Sequence, residues 1–323
     1  MGKYNIPLKL KQKLEEKDSF VLIGHTNPDG DCLSSQRALG SFLERRGGNV
    51  CLLSPGPFNR SEIENQEKYF LYHLPEKFKD MNTLVIVLDC STIDRIGYLA
   101  DEIQGMEVAV IDHHDSGKSF GDIQFIHPEA PSVTFLVHKL IESFDVKPNK
   151  KEAELLLFGI ATDTGFFRHL ESGSQEVFQS VAGLTECGAS PKEAHTLMYG
   201  GRTLLSKQFM GELLSRTRSE LEGKLIISFE TEKDLKKYSK DNRDSDAFYQ
   251  QVQGIKGVEA IALVRFESNL EISVGLRSRY YADVGAIAKS FGGGGHKKAA
   301  GFTWNGSAEE ITDKLIKIFS KIL

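Results

Sequence analysis

Short apolar stretches alternate with amphipathic stretches through the first 190 residues of the chain. Residues 83–89 and 107–111 are continuous apolar runs, a pattern typical of parallel strands that are covered on both faces. Residues 32–46 have the spacing of an amphipathic helix. This alternation predicts an α/β domain built on a doubly wound parallel sheet. Further strands are predicted at 19–24 and 50–53, and further helices at 132–144, 151–160 and 174–187.

The pattern changes after residue 190. Ser190-Pro191 opens another helix, and residues 204–218 continue as a helical connector. Longer alternating strands follow, interrupted by a helix, which predicts a smaller α+β domain with a largely antiparallel sheet. These strands are predicted at 224–230, 258–267 and 270–276, and the predicted domains are 1–190 and 219–323, joined by a helical linker over 191–218.

Composition narrows the class of protein. Hydrophobic residues make up 40% and charged residues 26% of the 323 residues, which is typical of a globular protein. No apolar run reaches the length of a membrane span, so no membrane partner is expected. The four cysteines are scattered and never spaced as Cys-x-x-Cys, which indicates a reducing compartment and a cytoplasmic protein.

The net charge of −5 disfavours binding of a long duplex nucleic acid through its backbone. Two bound divalent cations would leave a net charge of about −1 and a positive local field. Small anionic substrates therefore remain compatible with this charge.

Carboxylates and imidazoles recur where predicted strands and one helix end. Each alone has an ordinary explanation, because an Asp after a strand often caps the next helix. Together they place five carboxylates and three imidazoles around one edge of one sheet, where mutual repulsion would raise several pKa values. Bound divalent cations would remove that repulsion. The residues are His25, Asp29, Asp31, Asp89, Asp112, His113, His114 and Asp163.

Mixed imidazole and carboxylate ligands suit Mn²⁺, with Mg²⁺, Co²⁺ and Zn²⁺ as alternatives. Cys32 and Cys90 adjoin Asp31 and Asp89 in sequence. Since sequence neighbours on a strand or an early helix point elsewhere, both cysteines are predicted to be small core residues.

A glycine run lies near the C-terminus and ends in His296. It leads into Lys297-Lys298-Ala299-Ala300, which we interpret as the start of a helix whose N-terminus would bind phosphate or carboxylate. The glycines would let the backbone approach that ligand closely. The run consists of Gly292, Gly293, Gly294 and Gly295.

A second candidate for anion binding follows a predicted strand at Arg277, because arginine grips phosphate in a bidentate manner. Arg279 has the pattern of an exposed residue at a strand end. Tyr280 and Tyr281 are expected to pack, as aromatic residues beside a strand usually do.

The motifs together resemble those of the DHH phosphoesterase family and its partner, the DHHA1 domain, in order along almost the whole chain. The chain length looks most like the NrnA-type subgroup. One departure is Ser34-Ser35, where the family usually has Gly-Ser. The matching segments are His25-x-Asn-x-Asp29-Gly-Asp31, Asp89, Asp112-His113-His114, Asp163 and Gly292-Gly-Gly-Gly-His296-Lys-Lys-Ala-Ala-Gly301.

The resemblance implies a role for each residue. Asp89 would bridge two metal ions, Asp112 would orient the ligands, and His114 would face the substrate. Arg277 would bind the substrate in the second domain. The remaining ligands implied are His25 and Asp29 for the first metal and Asp31, His113 and Asp163 for the second.

The subgroup degrades very short oligoribonucleotides and dephosphorylates 3′-phosphoadenosine 5′-phosphate. The expected protein is therefore a two-metal phosphoesterase with its active site in the cleft between the domains. Its partners would be short single-stranded RNA or a small nucleotide, and a homodimer is compatible with this reading. Three alternatives stay open: a cyclic- or linear-dinucleotide phosphodiesterase, an inorganic pyrophosphatase or exopolyphosphatase, and a non-catalytic nucleotide-binding regulator.

Overall fold

The structure is a computed structural model that describes residues 4–60, 62–114, 120–268 and 271–323. The chain divides into two compact units, Met1–Gly201 and Arg202–Leu323. The division falls inside the segment 191–218 that the sequence suggests as a linker. In the described residues, no helix is long and apolar enough to cross a membrane.

The first unit is built on a five-stranded parallel sheet in the order β2-β1-β3-β4-β5. Its strands are β1 (Ser19–Ile23), β2 (Asn49–Leu53), β3 (Thr83–Leu88), β4 (Glu107–Asp112) and β5 (Ile123–Ile126). Its helices are α1 (Leu8–Glu16), α2 (Gly30–Arg45), α3 (Leu99–Glu102), α4 (Val133–Glu142), α5 (Lys150–Asp163), α6 (Gln175–Glu186) and α7 (Pro191–Tyr199), with 3₁₀ turns at Glu64–Tyr69, Glu76–Phe78 and Ile93–Ile96.

Alternate residues of the central strand β3 enter two different cores. Leu84 and Ile86 pack with the helices α2, α4 and α5, whereas Val85 and Val87 pack in a second cluster on the opposite face. All residues of β3 are buried, which explains why the strand is apolar at every position after Thr83. The doubly wound α/β prediction is therefore confirmed.

The second unit holds a six-stranded mixed sheet in the order β10-β11-β9-β8-β7-β6, in which β7 and β8 pair in parallel and the other described neighbours pair antiparallel. Its strands are β6 (Arg218–Glu220), β7 (Leu225–Glu230), β8 (Ala260–Ser268), β9 (Glu271–Ser278), β10 (Gly294–His296) and β11 (Ala299–Asn305). Its helices are α8 (Leu204–Ser215), α9 (Glu232–Tyr238), α10 (Ser245–Gln253), α11 (Val284–Ser290) and α12 (Ala308–Phe319), with short 3₁₀ turns at Leu221–Gly223 and Lys240–Asn242. The strand predicted at 270–276 corresponds to β9, and its first predicted residue lies outside the described residues.

The helix predicted after the glycine run is wrong. Gly294–His296 and Ala299–Asn305 form an antiparallel hairpin, with Lys297 and Lys298 at its turn. The whole of β11 pairs with β9, and Ala300 and Phe302 reach the core of the unit. This long-range pairing outweighs the local helical preference of the Lys-Lys-Ala-Ala segment. No helix N-terminus is therefore offered to an anion there.

Candidate metal centre

The loop after β1 carries the first candidate ligands. His25 is buried, and its Nδ1 donates to the carbonyl of Thr26 at 2.7 Å, which leaves Nε2 free to bind a cation. Asp29 caps α2 through one oxygen, which accepts from the amide of Cys32 at 3.0 Å. Its other oxygen lies 3.9 Å from His25 Nε2.

Asp89 follows β3 directly and adopts a left-handed backbone conformation with φ of +61°. Its side chain is 4% exposed. Oδ2 lies 3.4 Å from His25 Nε2, and Oδ1 lies 3.7 Å from His113 Nε2 and 3.6 Å from His114 Nδ1. Among the described residues, Oδ1 has no hydrogen-bond partner. A buried carboxylate oxygen facing imidazoles without a donor has the surroundings of a metal ligand.

Asp112, at the end of β4, orients the two histidines that follow it. Its Oδ1 accepts from the backbone amide of His113 and from His114 Nδ1, both at 2.8 Å. His113 Nδ1 donates to the carbonyl of Ala130 at 3.1 Å, so its Nε2 is free and lies 3.3 Å from Asp163 Oδ2. A carboxylate or carbonyl on the far nitrogen is the usual way in which a metal-binding imidazole is held.

Asp31 belongs to the same group but also caps a helix. Both of its oxygens accept hydrogen bonds at the start of α4, from the amides of Val133 (2.6 Å) and Thr134 (2.9 Å) and from the Thr134 hydroxyl (2.5 Å). It lies with His113 and Asp163, the last residue of α5, in a group whose ligand atoms are all within 4.8 Å of one another.

The predicted substrate residues lie in the second unit. Arg277 on β9 stacks over the ring of Tyr249 at 4.3 Å and donates to Asp246 at 3.3 Å. It lines a cavity of about 660 Å³ together with Gly292 and Gly293. The rest of the run, Gly294, Gly295 and His296, forms the exposed strand β10 instead.

The expectation that Tyr280 and Tyr281 pack is wrong. The two residues are 65% and 52% exposed. The buried carboxylate of Glu259 accepts hydrogen bonds from the amides of Tyr280, Tyr281 and Ala282, which fixes the backbone of this loop and turns both rings outward.

Comparison with known families accounts for both units. Residues 19–160 match the model of the DHH family N-terminal domain, and residues 222–323 match that of the DHHA1 domain. The chain belongs to the DHH/DHHA1 family. The protein is therefore a metal-dependent phosphoesterase.

Individual relatives agree with this assignment. The bifunctional oligoribonuclease and PAP phosphatase NrnA of Thermus thermophilus is 29% identical over 283 residues, which cover 87% of this chain and 83% of that protein. An exopolyphosphatase-related protein from Bacteroides fragilis shares the fold with a TM-score of 0.86 at 23% identity, over 97% of this chain and 96% of that one. RecJ from Thermus thermophilus, solved in complex with Mn²⁺, shares it with a TM-score of 0.55 at 16% identity, over 98% of this chain and 54% of that one.

The pKa values of the clustered carboxyl groups in the DHH unit also favour cation binding. Burial and the neighbouring carboxylates raise the pKa of Asp31 well above its usual value. Burial likewise raises the pKa of Asp163 to about 7, although His113 opposes the shift. For Asp89, burial opposes ionisation, but His25, His113 and His114 hold its pKa below the usual value. A divalent cation would relieve the repulsion among these carboxylates.

Cys32 is the residue that the sequence reasoning missed. It is fully buried, as predicted, but its sulfur lies within 4.8 Å of the ligand atoms of His25 and Asp89. Burial raises the pKa of this thiol to about 12, so it carries its proton. The sequence carries no signal for this position of Cys32, because its close approach to Gly24, where a side chain would collide with the sulfur, is visible only in the structure.

Proposed function

We propose that this DHH/DHHA1 protein uses two divalent cations to hydrolyse short oligoribonucleotides to mononucleotides and 3′-phosphoadenosine 5′-phosphate to AMP. The observation that carries the proposal is the buried Oδ1 of Asp89, which faces two imidazoles and has no hydrogen-bond partner within the part of the chain that the structure describes. The substrate class is supported by the name of the Thermus relative, which matches most of the chain.

The residues fit two cations that share Asp89. Bound there, the cations would polarise the phosphate ester and acidify the attacking water. Mn²⁺ is the proposed metal, because the ligands mix imidazole nitrogen with carboxylate oxygen. The proposed ligands are His25, Asp29 and Asp89 for one cation and Asp31, Asp89, His113 and Asp163 for the other.

His114 is the proposed catalytic donor. Its Nδ1 proton is fixed on Asp112 at 2.8 Å, and its ring is about one-third exposed. The hydrogen bond to Asp112 raises the pKa of His114, which favours the protonated ring with a second N–H at Nε2. That N–H can donate to a phosphate oxygen as negative charge develops on it.

The DHHA1 unit is proposed to hold the part of the substrate that does not react, through Arg277, His296 and the glycine segment. Remote contacts of this kind align the reacting phosphate. Arg277→Ala and His296→Ala should therefore lower dinucleotide turnover about tenfold to hundredfold, the loss expected for one charge-assisted contact. They should spare bis(p-nitrophenyl) phosphate. Equal losses on both substrates would contradict this division of labour.

The function is tested by hydrolysis after exhaustive chelation and after addition of Mn²⁺. A short dinucleotide, 3′-phosphoadenosine 5′-phosphate, inorganic pyrophosphate and a cyclic dinucleotide are compared at equal concentration. We expect no turnover without metal, and highest kcat/KM on the first two substrates with Mn²⁺. If pyrophosphate or the cyclic dinucleotide were hydrolysed faster, that compound would be the substrate in place of the proposed one. Full turnover in protein shown to be metal-free would overturn the mechanism.

A further inference from the structure

A cavity of about 310 Å³ lies in the DHH unit between helix α2 and strand β2, which is the edge strand of the parallel sheet. Arg37 and Glu44 of α2 line it. They follow the proposed metal ligand Asp31 by six and thirteen positions, which corresponds to about 9 and 20 Å along the helix axis. The cavity is therefore separate from the candidate metal centre.

One wall of the cavity is apolar. Gly40 lets α2 approach β2 closely, since a Cβ at this position would lie 3.2 Å from the side chain of Val50 and 3.1 Å from that of Leu52. Leu71 continues the wall beside β2, where its amide donates to the Leu52 carbonyl at 2.9 Å. Leu71 is 51% exposed. Val50, Leu52 and Leu71 thus offer a surface on which a flat apolar group can pack.

Arg37 is a half-buried guanidinium without a counter-charge. It stacks over the ring of Tyr69 at 3.8 Å and donates to the side-chain oxygen of Gln66, a neutral acceptor. Among the described residues, no carboxylate lies within ion-pair distance of it. Burial lowers the pKa of Arg37, although Tyr69 opposes the shift. The charge is therefore held at a cost in free energy that a bound anion would relieve.

Two lysines add positive charge to the same cavity. Lys77 lies on the 3₁₀ turn Glu76–Phe78, and Lys151 lies in the first turn of α5. Both are exposed, and within the described ranges neither is paired with a carboxylate. Glu44 is the one acidic residue among the described residues that line the cavity, and it is unpaired there too. Three basic groups and one carboxylate therefore surround this space.

We infer that the cavity binds a nucleoside monophosphate outside the metal centre. Arg37, Lys77 and Lys151 supply donors for the phosphate, which an arginine can hold in a bidentate manner. Glu44 can accept hydrogen bonds from the ribose hydroxyls, and the apolar wall can cover the base. A volume of about 310 Å³ is at the lower end of the range for small-molecule sites, which suits one nucleotide rather than two. The inference goes beyond the proposed function and does not depend on hydrolysis.

The first test is calorimetric binding in EDTA to the full-length protein carrying Arg277→Ala, which weakens the proposed site in the DHHA1 unit. The probes are 5′-AMP, adenosine and inorganic phosphate. We expect 5′-AMP to bind at least about tenfold more tightly than either fragment, because adenosine lacks the charge-assisted contacts and phosphate lacks the apolar surface. Equal affinity for 5′-AMP and either fragment would overturn the inference.

Substitutions in the same protein identify the cavity. Arg37→Gln should lower the affinity for 5′-AMP about tenfold to hundredfold. Lys77→Gln, a change at an exposed position, should lower it about twofold to fivefold. Arg46→Gln is the matched control, because Arg46 follows the same helix, stacks over Phe144 at 4.6 Å and does not line the cavity. Unchanged affinity with both Arg37→Gln and Lys77→Gln would mean that 5′-AMP binds elsewhere, and would overturn the inference.

Lysine modification locates the ligand in the wild-type protein without any substitution. Acetylation by an N-hydroxysuccinimide ester is followed by mass spectrometry in EDTA, with and without 5′-AMP at about ten times its Kd. The rates at Lys77 and Lys151 should fall about tenfold, in proportion to the free sites. Lys147 is the control, because its side chain is 82% exposed in the same unit and lies outside the cavity.

This measurement separates the inference from the proposed function. Protection of Lys77 and Lys151 but not of Lys147 supports the site even if no substrate is hydrolysed. Equal rates with and without 5′-AMP at all three lysines would overturn the inference even if the protein hydrolyses dinucleotides.

Discussion

Replacing Asp163 by Asn should stabilise the metal-free protein while removing its activity. Burial raises the pKa of this carboxyl from 3.8 to about 7, so its ionisation above neutral pH opposes folding. Three pKa units correspond to about 4 kcal/mol. The side chain is 29% exposed, and solvent screening reduces this upper limit to about 1–2 kcal/mol.

The assay is thermal unfolding in EDTA. At pH 8 the Asp163→Asn variant should melt about 3–6 °C above the wild type. The sign follows from linkage: a raised folded-state pKa destabilises the protein fully above about pH 7, and the effect fades as the pH falls towards 4. The gain should therefore disappear by about pH 4. Asp101→Asn, an exposed carboxylate of the same unit, is the control and should change little.

With Mn²⁺ the wild type should melt above the Asp163→Asn variant, because the variant loses a ligand and gains less stability from the metal than the wild type does. A melting temperature in EDTA at pH 8 equal to or below that of the wild type would refute the reasoning. It would mean that the attraction between Asp163 and His113 outweighs the cost of burying the charge.

Other perturbations test the remaining contacts. Asp89→Asn should lower turnover at least about 100-fold while the circular dichroism spectrum stays native, and near wild-type turnover would remove its bridging role. His114→Ala should slow hydrolysis about 100-fold even for a minimal ester, whereas His73→Ala, which breaks a similar imidazole–carboxylate pair at 2.7 Å outside the site, should not. Arg216 binds Asp234 in the DHHA1 unit; burial opposes ionisation, but this contact lowers the pKa of Asp234 to about 2. The stability that this contact contributes is present above about pH 4 and is lost as the pH falls to 2. Arg216→Met should therefore make the free energy of unfolding depend less on pH between these values. An unchanged pH dependence in that range would argue against the pair.

The sequence predicts the DHH unit well because the buried strands of this unit have a clear hydrophobic pattern in the sequence. Strand β3 is apolar from Leu84 to Leu88 since both of its faces are covered, and parallel strands that end at one edge bring Asp89 and Asp112 together. The group that includes Asp31, His113 and Asp163 follows from the same topology.

Features that depend on long-range pairing were not predictable. The four-residue strand β5 is too short for a clear pattern, and the hairpin after Gly292 arises because β11 pairs along the length of β9. The exposure of Tyr280 depends on Glu259, which lies 21 positions earlier in the chain. Local propensity carries no information on these partners.

The left-handed backbone of Asp89 has a consequence for laboratory selection. A non-glycine residue in this conformation costs on the order of 1 kcal/mol, a cost that glycine would avoid. A library screened only for heat resistance, in a buffer that sequesters metal, would therefore enrich Asp89→Gly. The heat-resistant clones would be catalytically inactive, so a thermostable variant of this enzyme has to be selected with Mn²⁺ and substrate present.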